Sequence, residues 1–410
     1  MGDLLLALKH FDQIRPPAPT FTEKDLHDLA GKVYVITGSN SGIGKELAAI
    51  LYSKNARVYI AARNESKASA AIKSIRQQHP SSSGDLLFLH LELDDLTQIP
   101  QAARKLLSQE TRLDVLFNNA GVMHVPPGSV TKQGHELTLG TNNLGHYLFT
   151  ELITPLLVET ARIAPKDTVR VVWLGSLYTY AAPKDGMDFT NLNYEKKDEN
   201  KYYKYNVSKA GAYYEAADFA SKHKKKGIIS VAINPGNLRS DLQRHYSKTQ
   251  QRIMGSMLYP PIYGAYTELF AGLSPEVTME KTGSWIIPWG RFGVPREDLE
   301  RGARPTSEGG TGMAQKWAAW LEEQNNAGVM VPQQESKTAQ GYELQLRVNS
   351  LGGFLFAQFL RPVLATTART GPKNSVRVVS VQRLRRRMME VGLPRSVVFP
   401  GREDLLEEEL

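Results

Sequence analysis

Lys32-Val33-Tyr34-Val35-Ile36-Thr37-Gly38-Ser39-Asn40-Ser41-Gly42-Ile43-Gly44 is the stretch whose reading decides the architecture. Its first half is a short apolar run ending at glycine, the pattern of a parallel strand buried on both faces. Its second half passes Gly38, Gly42 and Gly44 through a turn. From Gly44 to Lys54 the spacing becomes helical, with Leu47, Ile50 and Leu51 on one side. Glycines in such a turn permit a tight bend, let backbone N–H groups approach a phosphate, and bring the helix close to the sheet.

The same rhythm recurs downstream. Arg57 to Ala62, Leu86 to Leu91, Asp114 to Phe117, Val169 to Leu174 and Ile228 to Ile233 read as five further short strands, separated by helical segments. Strands alternating with helices build a parallel sheet covered on both sides. The expected fold class is therefore α/β, a doubly wound Rossmann-type sheet over residues 31–324. Residues 1–30, with Pro16-Pro17, read as a lead-in.

Composition bounds the function. The 410 residues are 41% hydrophobic and 22% charged, an ordinary globular balance. The absence of cysteine excludes disulfides, thiolate nucleophiles and zinc–cysteine sites. The nine histidines show no metal spacing, so no metal is expected. A net charge of +8 invites a nucleic-acid partner, yet the basic clusters at Lys222–Lys226 and Arg383–Arg387 belong to no recognition motif and read as solvated segments. No window reaches the roughly 18 uninterrupted apolar residues of a membrane span. Leu4 to Leu8 lacks the flanks of a signal peptide. The expectation is a cytoplasmic protein with a small-molecule partner, without nucleic acid and without a membrane span.

The chain also repeats itself. Asn325-Asn326-Ala327-Gly328-Val329-Met330 duplicates Asn118-Asn119-Ala120-Gly121-Val122-Met123, and the match continues at a constant offset of 207 residues. Gly134, Asn142, Gly145, Pro155 and Arg170 recur as Gly341, Asn349, Gly352, Pro362 and Arg377. About half the positions of residues 118–172 are identical, the mark of an internal duplication. The copy lacks the Gly-rich turn, and Arg383 stands where Ser176 would be. Residues 325–410, this partial repeat and a charged tail, hold strand and helix pieces without the sheet that would bury them. They are expected to pack weakly or remain mobile.

The turn from Gly38 to Gly44, with Ser39, Asn40, Ser41 and Ile43 between the glycines, is the place for a dinucleotide pyrophosphate. An enzyme that takes NAD usually places an acid at the end of the second strand, on the ribose 2′-hydroxyl. Here Ala61-Ala62-Arg63 has no acid until Glu65. A guanidinium suits a 2′-phosphate, so NADP(H) is expected over NAD, the bland alternative being that Arg63 opens the next helix and faces water. Asn118-Asn119-Ala120-Gly121 follows the fourth strand, at the sheet edge where ligands bind. By itself it reads equally well as a structural turn.

Tyr205-Asn206-Val207-Ser208-Lys209 places a phenol and an ammonium one helical turn apart. A free tyrosine titrates near pH 10, and lowering it by about three units takes roughly 4 kcal/mol. One cation at about 4 Å supplies a similar amount at an effective dielectric near 20. Tyr205 beside Lys209 is thus equipped as a general acid toward a carbonyl or a base toward an alcohol. Ser176, at the end of the fifth strand, can hold the substrate oxygen beside Tyr205. Asn142 can anchor a water that returns protons to Lys209; taken alone, Ser176 or Asn142 reads rather as a helix cap or a local hydrogen-bond partner.

Taken together, Thr37-Gly38-x-x-x-Gly42-Ile43-Gly44, Asn118-Asn119-Ala120-Gly121, Asn142, Ser176, Tyr205/Lys209 and Pro235-Gly236 resemble the short-chain dehydrogenase/reductase family, in its order, over roughly residues 24 to 320. The likeness is greatest to the retinol-dehydrogenase-like branch with its fungal secondary-metabolism members, particularly over Tyr263 to Pro275 and Trp285 to Pro295. The resemblance implies a catalytic tetrad of Asn142, Ser176, Tyr205 and Lys209, with Lys209 also on the nicotinamide ribose. It implies cofactor contacts from Glu92 and Leu93 near the adenine, from Asn119, and from Asn237, Leu238 and Ser240 near the carboxamide. Glu92 replaces a usual aspartate and Ser240 a usual threonine. It also implies a homodimer or homotetramer. Met254, Met257, Leu258, Tyr259 and Tyr263 read either as a lining for an apolar substrate or as plain core. The competing function is a catalytically silent dinucleotide-binding interaction protein, for which the paired Tyr205 and Lys209 would have no use.

Overall fold

All six strands read from the apolar runs form. They are β1 (Val33–Thr37), β2 (Arg57–Ala62), β3 (Asp85–His90), β4 (Val115–Asn118), β5 (Arg170–Leu174) and β6 (Ile229–Ile233). The computed structural model describes residues 9–239 and 258–330, all inside a unit spanning Met1–Val331. Ser240, Met254, Met257, the basic cluster Arg383–Arg387 and the repeat beyond Met330 lie outside the described residues.

The strands pair in parallel in the order β3-β2-β1-β4-β5-β6, with Val35 opposite Tyr59 on one side and Leu116 on the other. Every residue of β1 is buried, because both faces of the sheet are covered. Val33 and Val35 face a layer holding α3 (Ile99–Gln109), α4 (Gly145–Ile163) and α5 (Lys201–His223). Tyr34 and Ile36 face the opposite layer, where α1 (Gly42–Ser53), α2 (Glu65–Gln78) and α6 (Pro261–Leu273) pack. The chain reverses its direction of winding between β1 and β4, and the crevice that opens there at the strand ends is where α/β sheets take ligands.

The sheet is wider than the apolar runs foretell. A hairpin adds β7 (Trp285–Ile287), parallel to β6, and β8 (Arg291–Gly293), antiparallel to β7. Three residues are too few to show a period of two, so the hairpin has no signature in the sequence. Its turn sits on α6: Gly290 has φ +91°, and a Cβ there would lie 2.8 Å from the Phe270 ring. Two more helices follow, α7 (Glu297–Ala303) and α8 (Met313–Met330).

The repeated hexapeptide takes two conformations. Asn118 ends β4 and its five successors form a loop, whereas the identical residues Asn325–Met330 are the last turns of α8. Six residues do not carry a conformation of their own. Val115-Leu116-Phe117 enter the first copy as a strand between two others, while Leu321-Glu322-Glu323-Gln324 enter the second as strong helix formers.

One buried cation joins the sheet to its outer helix. Arg170 is the first residue of β5, yet its guanidinium donates to the carbonyls of Asp167, Ala271 and Ser274 at 2.9, 3.0 and 2.9 Å. It thereby satisfies carbonyls at the C-terminal end of α6, where a positive charge is favoured. Burial pushes its pKa down to about 10, so it stays charged at neutral pH. Arg170→Met is expected to strand these carbonyls and cost about 2–4 kcal/mol, read as a lower urea midpoint at an unchanged m-value.

Candidate active site

The turn between β1 and α1 is built to leave a helix end open. Gly38 has φ +69° and donates its N–H to Ala61 O at 2.7 Å, which locks the turn to the end of β2. Ser39 turns inward, with its hydroxyl on Ile36 O at 2.7 Å. Asn40 continues the turn to Ser41, the residue before the helix, whose backbone is extended and whose side chain makes no capping bond. Gly42 has φ +58°, with open space where a side chain would be. A Cβ at Gly44 would meet Asn119 Nδ2 at 2.6 Å and Ser39 Cα at 2.9 Å. The first turn of α1 carries no acid. Its amides therefore point out unneutralised and uncapped, which is the form a helix N-terminus takes where it receives a phosphate.

The loop after β4 is stitched to this turn. Asn119 Nδ2 donates to Thr37 O at 2.6 Å and Ala120 N to Thr37 Oγ1 at 2.9 Å. Of the two readings of Asn118-Asn119-Ala120-Gly121, the structural one is thus directly visible in its bonds. His146 completes the join from α4. Its Nε2 lies 3.0 Å from Thr37 Oγ1 and its Nδ1 lies 3.1 Å from the carbonyl oxygen of Asn142. A carbonyl only accepts, so the proton sits on Nδ1 and Nε2 accepts from the Thr37 hydroxyl. Burial pushes this imidazole down to about 4, so it is neutral at any ordinary pH.

Arg63 follows β2 directly. It is mostly exposed and pairs with Asp94 at 3.3 Å, an interaction of little strength at a surface. Glu92 and Leu93 lie just past β3; Leu93 is buried, its carbonyl so close to Gly145 that a Cβ there would clash. Beyond β6, Asn237 O accepts from Tyr259 N at 2.9 Å, and Leu238 and Ile43 both lie against Gly264, where a Cβ would meet them. The loop after β6 thus touches α1 and α6, and the loop after β3 touches α4.

The catalytic candidates converge from three elements. Helix α5 starts at Asn200, whose side chain accepts from Tyr202 N and Tyr203 N at 3.0 Å each. One turn separates Tyr205 from Lys209, both buried, with the ammonium 5.6 Å from the centre of the Tyr205 ring. Lys209 Nζ donates to Leu174 O at 2.7 Å, the last carbonyl of β5. Two residues further on, Ser176 leaves the strand and accepts from Tyr178 N at 3.2 Å. Gly175 permits this exit, for a Cβ would lie 2.7 Å from the Trp285 ring. Asn142 sits in a widened helical turn, Gly140–Leu144, that leads into α4. Its Oδ1 accepts from Val122 N at 2.8 Å, and its Nδ2 donates to Val122 O and to Ser208 Oγ, each at 3.1 Å. All four residues of the expected tetrad therefore meet around one backbone junction.

Burial pushes the Lys209 pKa down to about 8, against a smaller upward pull from Glu215. Two rings missed by motif reading crowd the phenol. His124 and Tyr178 lie edge-on to Tyr205, with ring centres 5.7 and 6.0 Å away, and Tyr202 packs on His124 at 4.4 Å. Only the position of His124 directly after Met123, and of Tyr178 two residues past Ser176, hinted at them. Among the described residues there is no group of three or more side chains that would hold a metal ion, and no helix is long and apolar enough to cross a membrane.

Comparison with known proteins agrees with this arrangement. The short chain dehydrogenase family profile matches residues 32–180. A protein of Phomopsis amygdali named short-chain dehydrogenase/reductase is 50% identical over 317 residues, which cover 76% of this chain and 95% of that protein. The short-chain dehydrogenase/reductase pkfC of Emericella nidulans is 45% identical over 76% of this chain and 98% of its own. The crystal structure of an uncharacterized protein from Mycobacterium paratuberculosis superposes with a TM-score of 0.55 at 26% identity, covering 75% of this chain and 97% of that one.

The buried lysine makes a measurable prediction about stability. The folded state holds the Lys209 proton less tightly than the unfolded chain does, whose ordinary value is 10.5. Below pH 8 the burial cost is fully present; between 8 and 10.5 the unfolded chain binds more protons, so this group's contribution to stability rises with pH. Lys209→Met is expected to raise stability at pH 7 by about 1–3 kcal/mol, with the gain fading toward pH 10.5, in paired urea titrations of variant and parent.

Proposed function

The chain belongs to the short-chain dehydrogenase/reductase family, and we propose that within it the protein is an NADP(H)-dependent oxidoreductase acting on the carbonyl or alcohol carbon of a small, apolar substrate. The observation that carries this reading is the junction at Leu174 O, where the Lys209 ammonium ties the Tyr205 helix to the strand end that presents Ser176. The open helix N-terminus at Ser41–Gly44, with space beside Gly42, fits a pyrophosphate. Arg63, exposed and weakly engaged by Asp94, is assigned to the 2′-phosphate. Glu92 and Leu93 are assigned to the adenine end, and Asn237 and Leu238 to the nicotinamide end. Ser240, assigned with them, lies outside the described residues. Asn119 takes a shaping role, since its amide is held by Thr37.

When bound, the nicotinamide ring supplies or accepts the hydride. The chain's own residues manage the oxygen and its proton. Ser176 Oγ holds the substrate oxygen, and Tyr205 gives it a proton during reduction or takes one during oxidation. The Lys209 charge favours the phenolate and so eases either direction. Asn142 orients the turn beside Lys209, and its carbonyl is kept in place by His146. His124 and Tyr178 wall the reacting centre with rings, which favours apolar or planar substrates and excludes water from the oxygen being protonated.

Tyr205→Phe is expected to lower kcat at least about 1,000-fold while leaving NADPH affinity, read by nicotinamide fluorescence, within a few-fold of the parent. Parent-like turnover would overturn the assignment, and NADPH binding without turnover of any carbonyl or alcohol in a broad panel would favour the silent binding protein. Arg63→Ala is expected to weaken NADPH about tenfold or more and NADH hardly at all. Equal losses for both would remove the guanidinium from the 2′-phosphate.

A further inference from the structure

The groups that hold Lys209 in place lead inward, away from the cleft. Asn142 and Asn143 are neighbours in the turn Gly140–Leu144, and both bond to Ser208, the residue before Lys209. Asn142 Nδ2 donates to the Ser208 hydroxyl at 3.1 Å and Asn143 Nδ2 to its carbonyl at 2.9 Å. The other hydrogen of the Asn143 amide goes to Glu215 Oε1 at 2.7 Å. That oxygen also accepts from Trp317 Nε1 of α8 at 3.2 Å. Helix α8 grips the turn a second time through Asn325, the first residue of the repeated hexapeptide, whose buried Nδ2 donates to Leu144 O at 3.2 Å.

Glu215 is an unusual residue for its location. It is 1% exposed, and its second oxygen has no hydrogen-bond partner. A carboxyl so placed is costly, and an apolar side chain would pack there without that cost. Burial pushes it up to about 8, and the charged group that acts on it is Lys209. The other titratable groups around the pair are the Tyr205 phenol on the ammonium's side and, on α4, the Tyr147 phenol, which also feels Glu215 and Asp218; the turn presents the Asn142 and Asn143 amides, α8 the Trp317 indole, and α4 the neutral His146 ring.

We propose that Glu215 is a positioning residue for the reaction: through Asn143 it fixes the Ser208–Lys209 step of α5, and its carboxylate keeps the proton on Lys209 as the pH rises. This rests on the role given to Lys209 above. The sign follows from the charges. A carboxylate near an ammonium favours the protonated form, so removing it lets Lys209 lose its proton at lower pH. Asn143 serves position alone, because it carries no charge.

The test uses the full chain with Glu215→Gln, which keeps an acceptor for Asn143 and Trp317, Glu215→Leu, which keeps only volume, and Asn143→Ala. In the unliganded protein, carbon-labelled lysine followed by NMR, with Lys209 assigned by the signal lost in Lys209→Met, reads the titration directly. Glu215→Gln is expected to move it to lower pH by about one unit. With substrate, the alkaline limb of kcat moves by the same amount, KM stays within about twofold, and Asn143→Ala lowers kcat about tenfold without moving the limb. An unmoved Lys209 titration in both Glu215 variants overturns the proposal, and so does a loss of melting temperature and kcat together with an unmoved limb. Because the NMR titration needs neither cofactor nor substrate, absence of turnover in the parent would count against the oxidoreductase reading alone.

Discussion

The bond from Lys209 Nζ to Leu174 O is the constraint around which the site is organised. It crosses from a helix to the end of a strand inside the protein, and it does so with a charge that burial disfavours. An ammonium has three hydrogens and no tolerance for leaving them unpaired away from water. One is given to the strand, and this fixes the distance between the Tyr205 helix and the backbone that carries Ser176. On the ammonium's other side a Cβ at Gly121 would lie 3.8 Å from Nζ and 3.3 Å from Asn142 Oδ1, so glycine leaves that space open. The same burial that makes the lysine costly gives its field strength, since charge acts further where water is excluded. The site is therefore locally less stable than a hydrophobic filling of that volume would be, and it is useful for that reason.

Around this bond the sheet acts as a ruler. Parallel pairing brings the C-terminal ends of β1, β4 and β5 side by side, so the Gly-rich turn, the Asn119 loop and Ser176 emerge along one edge. Three of the contacts that hold the edge together are of one kind: an inward-facing polar side chain bonded to a carbonyl at or near a strand end. Asn119 on Thr37 O, Ser39 on Ile36 O and Lys209 on Leu174 O follow this pattern.

Much of the site was legible before any coordinates. Gly38, Gly42 and Gly44 announce themselves by spacing, and Tyr205 and Lys209 by a one-turn separation, because both signals are local in the chain. The six main strands were legible because a strand buried on both faces must be apolar throughout. The rest depends on partners distant in sequence. The buried His146 ring holds the Asn142 carbonyl and the Thr37 hydroxyl together, a join that no local spacing announces. Glu215 reads as one more charge on a helix until Trp317, more than a hundred residues later, is seen to close over it. His124 and Tyr178 become ring walls only when two loops meet across Tyr205.

Asn118–Met123 and Asn325–Met330 show where the boundary falls. The residues are identical, so everything intrinsic to the hexapeptide is held constant between the two copies. One copy ends a strand and continues as a loop stitched to Thr37; the other lies in a helix, with its first asparagine buried and bonded to Leu144 O. The amino-acid order alone determines the βαβ alternation, the phosphate-type turn and the phenol–ammonium pair, because these arise from periodicity and short spacing. The folded chain decides the hairpin at the sheet edge, the fate of the repeated hexapeptide and the inward bracing of Lys209. Those outcomes are set by which long-range partner satisfies each buried polar group, and no local pattern encodes that choice.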